Sequence, residues 1–308
     1  MRGRDLLSIS DLSPDELEFL IQSALAMKRD GSRPVLQGKT VAMLFEKPSL
    51  RTRVSFEVGM KQLGGTAIYL SQAEVGLGQR EPVEDVAHVL SRYVAGIIAR
   101  TYAQKSLEDL ARAADIPVVN ALSDDEHPCQ ALADLLTIRE KKGRIAGVRI
   151  AFIGDGNNVS TSLALAAGLA GAELIIASPD GYSLPEAVVA TSRKSARDSG
   201  GAIETITSPE EAVKDADVVY TDVWTSMGQE ASRRQRLEAF EPYQVNAELM
   251  ALAKPDAIFM HDLPAHRGEE VAGDVIDGAQ SVVFDQAENR LHAQKALLAA
   301  LMGDPTVD

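Results

Sequence analysis

A single cysteine, Cys129, in 308 residues excludes an intrachain disulfide and leaves too few thiolates for a structural zinc site. Nothing else in the sequence asks for a metal or a cofactor. Positive charge is in deficit: 31 Lys and Arg stand against 45 Asp and Glu, a net charge of -14. Such a chain has no general attraction for nucleic acid or an anionic membrane, so an anionic ligand needs a local basic site working against the global field. Uninterrupted apolar runs of about 18 residues are missing, and the opening "MRGRDLLSISDLSPDELEFL" lacks the apolar core of a secretory signal. The expectation is a cytoplasmic protein with neither a membrane nor a nucleic-acid partner. Low-complexity segments are absent as well.

What is present is an ordinary globular composition, 45% hydrophobic and 25% charged, in a chain longer than one typical domain. Ser13-Pro14-Asp15-Glu16 is a capping box with proline at the first helical position, so the chain opens with a helix. Apolar β-rich runs then alternate with helical patterns: "TVAMLFE", "TAIYL", "GIIAR" and "PVVN", followed by a helix from Pro128 to about Lys142. After the polar break "KKGRIAGVR" the alternation restarts with "RIAFIG", "ELIIAS", "AIETI", "ADVVYTD", "DAIFMHDL" and "SVVFD", each read as a strand. The fold class expected is α/β: two domains, each a parallel sheet covered by helices on both faces, joined by long helices. The boundaries expected are 1–143 and 144–287, with a last helix over about 288–308 packing back on the first domain.

The stretch "FEKPSLRTRVSFEVGMKQLGG" is the local basic site. A strand ends at Lys47-Pro48 and a helix follows, with Ser49 as its N-cap. The free N–H groups and positive dipole end at such a junction hold an anion before any side chain is counted. Ser49, Arg51 and Thr52 add donors, and cations at a helix N-terminus oppose the dipole unless an anion joins them. Arg53 is better used in an i+4 pair with Glu57. Farther on, "IGDGNNVSTS" suggests a dinucleotide loop, but its third glycine is replaced by Val159 and no acid ends the next strand.

Four motifs in order, "PSLRTR", "HPCQALAD", "DVWTSMG" and "HDLPAHRGEE", resemble ornithine carbamoyltransferase. The resemblance implies transfer of the carbamoyl group of carbamoyl phosphate to the δ-amino group of L-ornithine, giving L-citrulline and phosphate. It further implies a homotrimer, or a multiple of trimers, with sites between subunits. Carried over by position, Ser49, Leu50, Arg51, Thr52, Gly76 and Arg100 meet the phosphate, with Leu50 acting through its backbone. His127, Pro128, Cys129, Gln130, Asp262, Leu263 and Arg290 complete the carbamoyl phosphate site, and Asn158, Asp222, Ser226 and Met227 bind ornithine. Arg51, His127, Asp262 and Arg290 are the expected catalytic set. Cys129 is expected to be a small buried residue rather than a nucleophile. A cis peptide is expected at Leu263-Pro264.

Three positions depart from the family pattern. Asp262 stands where cysteine is usual, Leu50 where threonine is usual, and Gly76 where a glutamine from the neighbouring subunit commonly reaches the phosphate. Gln79 or Arg80 could substitute for that glutamine. A related carbamoyltransferase acting on putrescine or N-acetylornithine is the alternative reading.

Overall fold

Residues 1–78, 80–226, 228 and 230–303 are described by the computed structural model. They divide into two units: Met1–Leu136 together with the stretch from Glu288 on, and Thr137–Ala287.

The first unit carries a parallel sheet in the order β2-β1-β3-β4, with β1 at Thr40–Phe45, β2 at Thr66–Ser71, β3 at Gly96–Arg100 and β4 at Val118–Leu122. β3 and β4 are buried along their whole length and β1 at all but its first residue, as apolar strands must be when helices cover both faces. β2 lies at the edge and none of its residues is fully buried. Leu44, Ile97, Ala99, Leu107, Leu110 and Val118 form part of the core here. The capping box at Ser13 is formed, Ser13 accepting from the Glu16 N–H and Glu16 from that of Ser13.

The second unit is also parallel, in the order β7-β6-β5-β8-β9: β5 Arg149–Ile153, β6 Glu173–Ala177, β7 Ala202–Ile206, β8 Val218–Tyr220 and β9 Ile258–Met260. Its core gathers around Ile153, Val219, Phe240, Phe259 and Val271.

Both sheets reverse their order of strand addition once, between β1 and β3 and between β5 and β8. The crevice beyond the strand ends at such a reversal is where open α/β sheets bind ligands. Phe45 pairs with Arg100 at the first reversal, so the Ser49 junction and Arg100 leave neighbouring strands at the same end. At the second, Gly154–Asn157 and Thr221–Asp222 do the same.

One strand expectation fails. "SVVFD" gives only the bridge Ser281↔Phe259, after which the helix Val283–Met302 has begun. Val282 and Val283 are both buried while Phe284 is exposed, which is a helical pattern of burial and not an alternation. The helix-forming run after Asp285 decides the local choice. Among the described residues no helix is long and apolar enough to cross a membrane.

Candidate active site

In the first unit, Ser49 is extended and caps the helix Leu50–Gln62, its Oγ accepting from the Thr52 N–H at 3.3 Å and lying 3.0 Å from the Thr52 hydroxyl. Thr52 is buried and Arg51 half-buried, whereas Leu50 is 77% exposed. Two neighbouring cations face elsewhere: Lys47 pairs with Asp124 and lies over the Tyr102 ring, and Arg53 Nε donates to Glu57 at 2.9 Å. The anion-binding chemistry therefore narrows to Ser49, Arg51 and Thr52.

Arg100, His127, Gln130 and Arg290 are all nearly inaccessible to solvent. Pro128 starts the helix Pro128–Lys142, which puts His127 just before its first turn and Gln130 within it. Arg290 Nη1 donates to Gln130 Oε1 at 2.9 Å, and Gln130 Nε2 donates to the buried Asp134 carboxylate at 2.8 Å. Burial, with the nearby charges of Arg290 and Arg100, holds the His127 imidazole well below its ordinary range. His127 is thus neutral near pH 7, a donor and acceptor but not a cation. Cys129 is fully buried with its thiol aimed at the Asn120 carbonyl, 3.5 Å away, and burial pushes it up to about 12. A thiolate is not available there for nucleophilic attack.

Gly76 closes the short helix Gln72–Val75 in a left-handed conformation, φ 58°. A Cβ there would strain the backbone and sit 3.0 Å from that of Arg80, which accounts for glycine at this position. Arg80 turns back to donate to the Glu74 carbonyl at 3.2 Å. Gln79 lies outside the described residues.

In the second unit the register Tyr220↔Met260 places the residues after β8 opposite those after β9. Asp222, His261 and Asp262 therefore converge, each with one polar atom within 4.8 Å of the others. Asn157, the N-cap of the helix Asn158–Ala170, donates from Nδ2 to Asp222 at 2.7 Å, and the Val223 N–H donates to the other oxygen at 2.6 Å. Burial and then the negative charge of the neighbouring Asp262 push the Asp222 carboxyl well above its ordinary range. The tautomer of His261 follows from its neighbours: Nδ1 accepts the Leu263 N–H at 2.9 Å, so the proton is on Nε2, directed at Glu270 3.2 Å away. Both ring nitrogens are engaged, and the convergence of donor atoms is that of an internal hydrogen-bond network. Leu263-Pro264 is cis.

Arg236 supports the same loop. It donates to the Trp224 carbonyl and to Asp155, and packs over the rings of Tyr182 and Phe240. Burial raises Asp155 to about 6, opposed by the charge of Arg236 and assisted by that of Asp222. Gly156 shows why the glycine loop takes no dinucleotide: a Cβ there would lie 2.4 Å from the backbone of Ser183 and Leu184, so the chain itself fills the space over the turn. Ser226 is half-buried on this loop, Asn158 begins the helix, and Met227 lies outside the described residues.

Asn157, Asp155, Arg236 and Glu270 were not expected in the site, and His261 was placed only as a strand end carrying a motif. Asn157 carried a signal as an N-cap residue type directly before an apolar helix, and His261 and Glu270 as the two ends of the motif "HDLPAHRGEE".

Residues 4–140 match the carbamoyl-phosphate-binding domain of aspartate/ornithine carbamoyltransferase, and residues 146–301 match its Asp/Orn-binding domain. The chain belongs to the aspartate/ornithine carbamoyltransferase family. It is 55% identical over 307 residues to an ornithine carbamoyltransferase of Thermococcus kodakarensis, covering 98% of each chain. An anabolic ornithine carbamoyltransferase of Pyrococcus furiosus is 54% identical, again over 98% of both. The solved structure of the ornithine carbamoyltransferase from Pyrococcus furiosus matches with a TM-score of 0.95 at 53% identity, covering 98% of this chain and 97% of that one. Within this family the two crevices take on distinct meanings, one domain for carbamoyl phosphate and one for the amino acid.

Proposed function

We infer that this chain transfers the carbamoyl group of carbamoyl phosphate to the δ-amino group of L-ornithine, giving L-citrulline and phosphate, as a step of arginine biosynthesis. The observation that carries this is likeness at 55% identity along 98% of the chain to a relative of that activity. Putrescine and N-acetylornithine are not favoured as acceptors, since relatives at 54–55% identity along the whole chain are named ornithine carbamoyltransferase.

The residue roles are our proposal, with domains 1–143 plus the last helix for carbamoyl phosphate and 144–287 for ornithine. Ser49, the Leu50 N–H, Arg51, Thr52 and Arg100 take the phosphate, and Gly76 adds only its backbone. Neutral His127 and the second N–H of Gln130 orient the carbamoyl group, alongside Pro128 and the Cys129 and Leu263 backbones. Arg290, aimed by Gln130, meets the charge that builds on the carbonyl oxygen when the neutral δ-amine attacks, and phosphate leaves as the carbonyl re-forms. Asp222, Asn158, Ser226 and Met227 take the α-groups of ornithine, and Asp262 attracts its δ-ammonium. No metal or cofactor enters this scheme.

A cytoplasmic homotrimer is part of the same proposal. Its support is a stripe of exposed apolar residues, Leu50, Val54 and Val58, spaced four apart on one helix beside the exposed Ile68 of β2. Such a stripe fits a second copy of the chain. The test of function is citrulline formation with L-ornithine, run beside putrescine, N-acetylornithine and aspartate; turnover with ornithine alone is expected, and turnover only with another amine would overturn the reading.

A further inference from the structure

Asp222 and Asp262 are two carboxyls side by side at the ends of adjacent strands. Asp222 is buried and Asp262 nearly so, and a carboxyl oxygen of each lies within 4.8 Å of the other. Two ionised carboxyls that close and that shielded from water repel, and they can bond only through a proton, because an ionised carboxyl is acceptor only. His261 cannot supply it: Nδ1, the nitrogen 3.5 Å from Asp262, is already an acceptor for the Leu263 N–H. The Asn157 amide and the Val223 N–H donate to Asp222 but carry no titrating proton. Of the other charged groups facing the pair, Asp155 adds negative charge and is itself paired with Arg236, while Glu270 sits behind His261 and holds its Nε2–H.

We propose that Asp222 and Asp262 hold one proton between them in the substrate-free protein, and that the ammonium of an incoming α-amino acid displaces it to solvent. The balance is simple: the pair, carrying one negative charge and one proton, binds the cation, becomes two carboxylates, and releases one proton to the buffer. A neighbouring positive charge favours ionised carboxyls, and a pair that titrates as a unit gives its proton up as a unit. A cysteine at 262 could form no such pair, so the device belongs to the aspartate of this chain. The inference rests on the ornithine-binding role proposed for Asp222, although the shared proton itself does not.

The test is infrared difference spectroscopy on the full chain near pH 7, where surface carboxyls are ionised. Wild type minus Asp262→Asn should show the carbonyl stretch of one protonated carboxylic acid, and Asp262→Cys should lack the band in the same way should the asparagine variant fail to fold. If the wild type has no such band, the shared proton is overturned whether or not ornithine is the substrate. Adding L-ornithine should abolish the band and release close to one proton per site, read with an indicator dye in weak buffer. A protein that makes citrulline while the band persists under saturating ornithine would overturn the displacement and leave the function intact. A band that is present in a protein with no citrulline formation, and that ornithine leaves unchanged, would overturn the functional reading and the displacement together.

Discussion

Arg290 and Gln130 stand 160 residues apart in sequence and are joined by a hydrogen bond of 2.9 Å inside the first unit. Gln130 is in turn fixed by Asp134, so the guanidinium is held at the end of a buried chain of polar groups. Replacing Arg290 with alanine should lower kcat by about 10²- to 10³-fold, the usual effect of losing one preorganised donor to an oxyanion. Steady-state kinetics with ornithine saturating checks this. Asp134→Asn should give a smaller loss in kcat by loosening the same chain.

Ser49 has two duties, capping a helix and presenting its hydroxyl where the phosphate is proposed to bind. Ser49→Ala should cost about 1 kcal/mol of stability as a lost N-cap, and should raise KM for carbamoyl phosphate well above KM for ornithine. Urea denaturation and initial rates separate the two effects.

Because His127 is buried and neutral, its pH dependence has a definite sign. The folded form binds its proton less readily than the unfolded chain, so its contribution to stability is intact above about pH 6.5 and is lost as pH falls below it. Between pH 6.5 and 5.5 this amounts to about 1 kcal/mol for one group. Wild type should lose that much more stability than His127→Gln over this interval, as measured by urea denaturation at both pH values.

Arg236 ties the Trp224 carbonyl to Asp155 behind the loop that carries Asp222. Arg236→Met should raise KM for ornithine several-fold with little change in KM for carbamoyl phosphate. It should also destabilise by about 3–5 kcal/mol at pH 8, since a buried carboxylate is left without its partner. At pH 5, below the value of about 6 for Asp155, that penalty should shrink as the acid protonates.

Cys129 should resist alkylation in the folded protein at pH 8, as a buried thiol raised to about 12 does not supply thiolate. Mass spectrometry after iodoacetamide treatment, with and without denaturant, reads this directly. Rapid modification of the native chain would contradict the buried setting.

The alternation of strands and helices was legible because parallel sheets demand continuous apolar runs, and "TVAMLF" or "RIAFI" suits nothing else as well. The Ser49 cap and the Arg53–Glu57 pair were legible because both are local. "SVVFD" misled because three β-formers precede a long helix, and the competition is settled by residues beyond the window. The meeting of Asp222 with Asp262 depends on β8 lying beside β9, two strands of three residues each. Arg236 sits in a run that reads as solvated charge, "SRRQR", and only its aromatic and carboxylate neighbours set it apart.

The first unit is assembled from both ends of the chain, Met1–Leu136 and the stretch from Glu288 on, while Thr137–Ala287 is continuous. On a ribosome the continuous unit is complete before Arg290 has been made, and domains fold as they emerge. Arg290 then arrives after every strand of both sheets. Until then Gln130 lacks the guanidinium it accepts from, so the buried chain of polar groups running from Asp134 through Gln130 to Arg290 closes only after the continuous unit has been made.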